Sequence, residues 1–386
     1  MEHHVVERVD ALLKHAYEKR ASDVHLEPTV QQGRIRFRID GILSTDSVVE
    51  RLLFDMMIAR LKVIAGMNVT QKRLAQDGKL IYQSVDGDID VRVSTFPCIF
   101  GEKLVLRILN SKIGVRDFQT LGMSPELIMQ VEQFLTRPNG FFIVTGPTGS
   151  GKTTTLYSFL KKLNNDHLNI VTLEDPVEYT LDGITQTQIH VDIGLTFETG
   201  IRSVLRQDPD VIFIGEVRDK LTAKASIEAA LTGHLVFTTM HTVDAASAVI
   251  RLYDMGIDHF LIEGALSGVL AQRLLRALCE DCKEKKIVDD VERALAQKIG
   301  YHEIDHYVPV GCNRCCMSGY VGRIGIFEYV PIGLFKKILA SKPSYDLLLE
   351  ALAEHNVTLL KDSGLTLVRN GRTSLAEVWR TVAIDV

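Results

Sequence analysis

The sequence predicts an α/β protein: a parallel-sheet core wrapped by crossover helices, preceded by a smaller α+β domain and carrying a cysteine-rich module. Three observations carry this. Residues 141–153 read FFIVTGPTGSGKT, an apolar run, a glycine-rich turn and the start of a helix-spaced stretch. From about residue 124 strand-like and helix-like patterns alternate, the order that a parallel sheet with crossover helices requires. Two C-x-x-C pairs, Cys279/Cys282 and Cys312/Cys315, stand apart from the rest.

The chain has 386 residues, which points to two or three domains. Hydrophobic residues make up 46%, ample for large cores, and the net charge of −5 gives no general reason to bind nucleic acid. No stretch approaches the roughly 18–20 apolar residues that span a bilayer. The start, MEHHVVERVD, lacks a basic-then-apolar secretion signal, so a cytoplasmic location is expected.

Residues 4–20 place Val5, Val6, Val9, Leu12, Leu13 and Ala16 at helical spacing. GRIRFRIDGIL then alternates, with Ile35, Phe37 and Ile39 on one face and Arg34, Arg36 and Arg38 on the other, which predicts a half-buried strand. Residues 50–66 return to helical spacing. KLIYQSV and DIDVRVSTF flank Asp86-Gly87, a hairpin signal, and EKLVLRIL adds another strand. Residues 1–110 thus read as an α+β domain with a largely antiparallel sheet and an arginine-rich polar face. Cys98 reads as a small core residue. Residues 111–123 read as a linker, and 124–386 as the α/β domain, with the cysteine module at 276–323 and a helical part at 324–386.

Within 141–153, Phe141 to Val144 predict a buried strand, and TTTLYSFLKKL a helix with Leu156, Phe159, Leu160 and Leu163 inward. Gly146, Pro147, Thr148, Gly149, Ser150, Gly151, Lys152, Thr153 and Thr154 fill the G-x-x-x-x-G-K-T loop between them. Strand, turn and helix are the context in which such a loop cradles phosphate: glycines let several N–H groups face one anion, and the helix start adds its dipole. Lys152 is placed to reach β- and γ-phosphates and Thr153 to offer its hydroxyl to Mg²⁺. Three more apolar strands end at Glu174, Glu216 and His241. Ligands of open parallel sheets lie beyond the carboxyl ends of strands, so these residues are expected to share one site. Glu216 is read as the carboxylate near Mg²⁺, Glu174 as a base for water, and His234 and His241 as groups that sense the γ-phosphate. Arg92 and Arg107 belong either to a solvated, ion-paired face or to a nucleotide contact.

Paired C-x-x-C motifs in a reducing compartment fit a tetrahedral thiolate site for Zn²⁺. Cys316, next to Cys315, leaves the register of the second pair open.

In order, SDVHLEP, RFRIDG, QDGK, DVRVSTFP, GEKLVLRIL, GPTGSGKTTTLYS, TLEDPVEY, LRQDPDVIFIGEVRD, TGHLVFTTMHT and GCNRCCMSGYVGRIGIFE resemble the secretion ATPase superfamily over nearly the whole chain. They are most similar to the ATPases of type II secretion and of type IV pilus assembly. The resemblance implies a PAS-like first domain, a RecA-like P-loop ATPase domain and a zinc-binding tetracysteine module. It implies Glu174 as the catalytic glutamate, Glu216 beside Mg²⁺, His234 and His241 in a histidine box, and Arg92 and Arg107 as arginines given to the nucleotide. Lys79 stands where many relatives carry arginine, and lysine lacks the planar fork. The module implies an assembly rather than a retraction motor. Further implications are ATP hydrolysis in a hexameric ring, at the cytoplasmic face of the inner membrane, through platform proteins there. Longer relatives carry a further N-terminal domain, so the chain is expected to be a short member or a shortened chain. A nucleic-acid translocase is the alternative motor, and a non-catalytic ring the alternative outside enzymes.

Overall fold

The computed structural model describes residues 2–85, 87–109, 116–288, 293, 296–298, 300–340 and 343–382. Asp86 of the predicted hairpin signal, residues 110–115 around the predicted linker, and residues 289–292, 294, 295 and 299 of the cysteine module lie outside the described residues. The chain divides into two compact units, Met1–Gly114 and Val115–Val386.

The first unit is a six-stranded sheet backed by two helices. Helix α1 spans Glu2–Glu18, strands β1, β2 and β3 span Ala21–Pro28, Gln32–Ile39 and Ile42–Glu50, helix α2 spans Arg51–Ile64, and β4, β5 and β6 span Gln76–Ser84, Gly87–Cys98 and Gly101–Leu109. The order is β3-β2-β1-β6-β5-β4, antiparallel throughout. One face packs Val24, Leu26, Ile35, Phe37, Val91, Val93, Leu104 and Leu106 against Val9 and Leu13 of α1 and Phe54 and Leu61 of α2. The opposite face carries the charge. Glu27 accepts from Arg34, Arg36 and Lys103. Burial would raise its carboxyl, but those three cations outweigh it and hold it at about 2. Cys98 is exposed, not a core residue: it sits at the turn end of the β5–β6 hairpin, opposite Gly101.

A buried ion pair joins α2 to this sheet. Lys62, on the inner side of α2, places Nζ 2.6 Å from Glu102 on β6, and the two side chains are 1% and 6% exposed. The ammonium also donates to the Gln71 carbonyl at 2.7 Å. Such a pair costs desolvation, and each charge is tolerable only because the other is there.

The second unit is built on a seven-stranded sheet. Helices α3 and α4 span Phe118–Leu121 and Pro125–Leu135, and β7 spans Gly140–Thr145. Then follow α5 (Lys152–Leu163), β8 (Ile170–Glu174), β9 (Thr185–Gln188), α6 (Phe197–Val204), β10 (Val211–Ile214), α7 (Lys220–Leu231) and β11 (Leu235–Met240). Helices α8 (Ala245–Asp254) and α9 (His259–Ala265) lead to β12 (Leu266–Leu278), the short pair β13 (Glu284–Ile287) and β14 (Asp305–Val308), and β15 (Tyr320–Pro331). The chain ends with α10 (Lys336–Leu339), α11 (Tyr345–Glu354), α12 (Leu360–Arg369) and α13 (Leu375–Val382).

The order is β15-β12-β7-β11-β10-β8-β9, parallel except for the β12–β15 pair. Every residue of β7 is buried, because alternate side chains enter two cores. Phe142 and Val144 pack with α3, α4 and α5, whereas Phe141 and Ile143 pack on the side of α6 to α9. Side-chain caps set helix starts: Ser124 accepts from Leu127 N, Asp219 from Thr222 N and Asp244 from Ser247 N.

The predicted helical part at 324–386 requires correction. Residues up to Pro331 belong to β15, where Ile326, Phe327 and Val330 are buried, and helical structure begins only after it, with a 3-10 turn at Ile332–Phe335 followed by α10. The cysteine insertion also has more core than its charged sequence suggests, since Val288, Ala296 and Tyr301 are all buried. Among the described residues no helix is long and apolar enough to cross a membrane.

Lys62→Met should strand the Glu102 carboxylate and destabilise the first unit by roughly 3–5 kcal/mol, whereas Lys62→Met/Glu102→Leu should recover most of that loss. Urea denaturation, with hydrogen exchange read on α2, checks both; a neutral single variant would refute the pair's role.

Candidate functional site

The phosphate loop is shaped by how little room it has. Gly146 has φ +150°, and a Cβ there would lie 2.4 Å from the Gln272 carbonyl of β12. Gly151 has φ +90°, and its Cβ would fall 2.8 Å from Gln272 Nε2. Only glycine lets the backbone lie against β12 and still turn into α5. Pro147, Thr148 and Gly149 are exposed at the crest, and Ser150 is buried with its hydroxyl unpartnered. Lys152 donates to the carbonyls of Gly146 at 2.8 Å and Pro147 at 3.1 Å. Burial lowers its pKa to about 8, partly offset by Glu216. Thr153 and Thr154 lie half-buried on the first turn of α5.

Four neighbouring strands in the order β7-β11-β10-β8 deliver the remaining groups to the same sheet edge. Thr145 ends β7 opposite Met240 of β11, so His241 begins where the glycine loop begins. Glu216 lies two residues beyond β10, and Glu174 ends β8. His241 Nε2 is 3.5 Å from Glu216 Oε2, while Arg218 Nη2 is 2.6 Å from Glu216 Oε1. Burial and then Lys152 hold the His241 imidazole below its ordinary pKa, against the pull of Glu216.

Glu174 is 2% exposed. Its carboxylate accepts from the Tyr157 hydroxyl, from Thr172 Oγ1 at 2.6 Å and from Gln186 Nε2 at 3.1 Å. Burial raises its pKa above the ordinary carboxylate range even though these three donors act the other way.

His234 does not join this group. It precedes β11, next to Gly140 at the start of β7, and so lies at the amino edge of the sheet. Its Nδ1–H donates to the Ala229 carbonyl at 2.9 Å, closing the turn after α7. Arg92 and Arg107 belong to the other unit, where Lys79, Arg92, Arg107 and Asp23 are consecutive cross-strand neighbours. Arg107 Nε donates to Asp23 Oδ1 at 2.9 Å.

Sequence reading missed the groups that hold the site. Thr145 Oγ1 lies 2.7 Å from Thr242 Oγ1, and Gln272 accepts from Thr155 at 2.7 Å. Gln272, a polar residue inside the apolar run LSGVLAQRLL, was the available signal; Tyr157 and Thr172 carried none.

The four cysteines Cys279, Cys282, Cys312 and Cys315 place their sulfurs within 4.8 Å of one another. The Cys279–Cys312, Cys282–Cys315 and Cys312–Cys315 separations are each 3.8 Å. That is the edge of a tetrahedron with about 2.3 Å from centre to corner, the zinc–thiolate distance. Backbone N–H groups of Gly311 and Gly319 point at the Cys282 and Cys315 sulfurs at 3.3 and 3.2 Å, as favours thiolates. Cys316 is exposed and outside the cluster, which fixes the register of the second pair at Cys315.

A glycine loop packed on a parallel sheet, with a lysine and strand-end carboxylates beside it, defines a RecA-like P-loop ATPase fold. The chain is similar to the ATPase DotB of Legionella pneumophila, with a TM-score of 0.73 and 22% identity over 97% of this chain and 95% of that one. It is also similar to the pilus retraction motor PilT with bound ADP, with a TM-score of 0.64 and 24% identity over 96% of each chain. At such identities the likeness shows the fold alone. The model of the type II/IV secretion system protein family matches residues 1–380, and the chain belongs to that family. Among its relatives, the type IV pilus assembly ATPase TfpB of Acinetobacter baylyi is 43% identical over 99% of this chain and 66% of its own length. The type II secretion system ATPase E of Vibrio cholerae is 42% identical over 97% of this chain and 75% of its own length. The chain therefore spans about two thirds to three quarters of these relatives.

Because the charged form of Lys152 is lost as pH rises through about 8, nucleotide affinity should fall above that pH, approaching tenfold per unit. Equilibrium binding of a non-hydrolysable analogue between pH 7 and 9.5 reads this. Lys152→Arg should flatten the profile; a flat wild-type profile would contradict it.

Proposed function

We propose that this chain is a Mg²⁺-dependent ATPase that powers assembly of a pseudopilus or type IV pilus. It works as a hexameric ring at the cytoplasmic face of the inner membrane, through platform proteins there. The observation that carries the reading is the convergence of Lys152, His241, Glu216 and Glu174 on the carboxyl ends of four adjacent strands. The relatives named for pilus assembly and type II secretion support the process.

In this reading Lys152 and the loop N–H groups hold the β- and γ-phosphates. Mg²⁺, held by Thr153 and through water by Glu216, would supply charge neutralisation on the phosphates. Water attacks the γ-phosphorus, the bond to the β,γ-bridging oxygen breaks, and the Glu174 carboxylate takes the water's proton. Burial suits Glu174 to this, because a raised pKa makes it a stronger base. Tyr157, Thr172 and Gln186 orient it. His241 reports the γ-phosphate to Glu216. Arg92 and Arg107 are assigned to the nucleotide's phosphate charge; His234 takes a structural role at the far sheet edge. The tetracysteine site is read as structural Zn²⁺, since four protein ligands leave no open coordination position.

Glu174→Gln should keep nucleotide binding and lose turnover by on the order of a hundredfold, while Lys152→Ala should lose both. Phosphate-release and binding assays decide: absence of turnover in the wild-type protein would sink the ATPase reading, and near wild-type turnover in either variant would sink the role given to that residue.

Metal analysis of freshly purified, chelator-free protein should find one Zn²⁺ per chain. Cys279→Ser or Cys312→Ser should lower the melting temperature and zinc content together, and Cys316→Ser neither. A zinc-free protein, or a Cys316 variant as damaged as a Cys315 one, would overturn the assignment.

A further inference from the structure

Glu328, on β15, is 4% exposed, and no cation pairs with it among the described residues. Its two oxygens each accept a main-chain N–H. Oε1 accepts from Ala245 at 3.0 Å, and Oε2 from Leu360 at 3.3 Å. Ala245 opens α8 and Leu360 opens α12. One carboxylate therefore caps two helices from different parts of the chain, at the ends where a negative charge is favoured. Leu359, which precedes α12, has no side-chain acceptor of its own.

The position of Glu328 in the sheet gives this cap its meaning. Glu328 is registered with Ala271, Ala271 with Thr145, and Thr145 with Met240. It thus lies in one cross-sheet row with the residues that open the glycine loop and immediately precede His241. The connection from His241 to α8 is held residue by residue from different elements. Thr145 of β7 binds Thr242, with N–H to Oγ1 at 3.1 Å. Arg273 of β12 donates to the Val243 carbonyl at 2.9 Å. The Tyr345 hydroxyl of α11 donates to Asp244. Glu328 fixes Ala245, and of these anchors it alone also holds the start of α12.

We propose that Glu328 is a positioning residue for the nucleotide site, fixing the connection that carries His241 and tying it to the C-terminal helices. The proposal rests on the ATPase reading for its activity assay, but its structural readout does not. The groups that face Glu328 are Asp244 before α8, Asp362 on α12 and Tyr345 on α11, with Ala271 opposite on β12. Burial is the largest influence on its carboxyl and, with the two aspartates, raises it to about 7 against the pull of the two N–H groups. The ionised carboxylate accepts fully through both oxygens; protonation turns one of them into a hydroxyl, a donor and a poorer acceptor. Ionisation has a cost in stability. The folded pKa lies above the unfolded one, so the stability conferred by the neutral form is lost as pH rises from the ordinary carboxylate range to about 7.

The test is Glu328→Gln in the full chain, with Ser124→Ala, which removes the α4 cap, as a purely destabilising control. Glu328→Gln should lower kcat about tenfold with nucleotide Kd unchanged within about twofold, abolish the rise of wild-type turnover through about pH 7, and speed hydrogen exchange at residues 242–246 and 360–363. Ser124→Ala should leave the pH profile as it is. A Glu328→Gln protein with wild-type kcat and pH profile, even if less stable, overturns the proposal, as does unchanged exchange at 242–246. A wild-type protein without turnover defeats the ATPase reading alone, and exchange still decides the role of Glu328. If Glu328→Gln does not fold, Leu360→Pro serves, because proline is tolerated at the first helical position and deletes one of the two N–H donors. It should move the acid limb of turnover to higher pH, and an unmoved limb overturns the proposal.

Discussion

The second unit depends on a close approach of backbone to backbone. The loop from Thr145 to Gly151 lies against Gln272 of β12 so tightly that neither Gly146 nor Gly151 can carry a Cβ. The same approach starts α5 at Lys152 and lets Thr155 bond Gln272. Because β7 is buried on both faces, the loop cannot relax by shifting its strand. A parallel arrangement then does the rest. Strands β8, β10 and β11 run with β7, so their carboxyl ends fall on the side of the loop, and the residues that follow them become neighbours.

Electrostatics distinguishes the two carboxylates. Glu216 stands beside Arg218 and His241 and close enough to Lys152 to support its charge. Glu174 pairs with no cation among the described residues, only with hydroxyl and amide donors, and is raised by burial. One carboxylate is paired with cationic groups, and the other is held by neutral donors. In the first unit Lys79, Arg92 and Arg107 are adjacent across three strands, and Asp23 is registered beside Arg107.

Much of this was legible. The 141–153 stretch predicts its strand, turn and helix from local spacing, and the ends of β8, β10 and β11 fall at the predicted acids and His241. Errors came where local pattern was weak. IGIFEYV is expected in a helical segment, yet it belongs to the end strand beside β12, with Ile324, Ile326 and Val330 entering one core and Phe327 and Tyr329 the other, so that no simple alternation marks it. Cys98 was placed in the core on residue type, although a hairpin end exposes it. His234 shares a motif with His241 but stands a full strand away, and strand direction alone separates them.

What the sequence by itself determined is whatever a few consecutive residues specify: the glycine loop, the lysine, the strand-end acids and the paired cysteines. Tertiary structure decided which distant groups surround them. Tyr157 and Gln186 on Glu174, Gln272 under the loop, Cys315 rather than Cys316 in the cluster, and Glu328 between two helix starts all arise from contacts between segments far apart in the chain. No local periodicity encodes such contacts, because register and packing across the sheet fix them only once the whole core has formed.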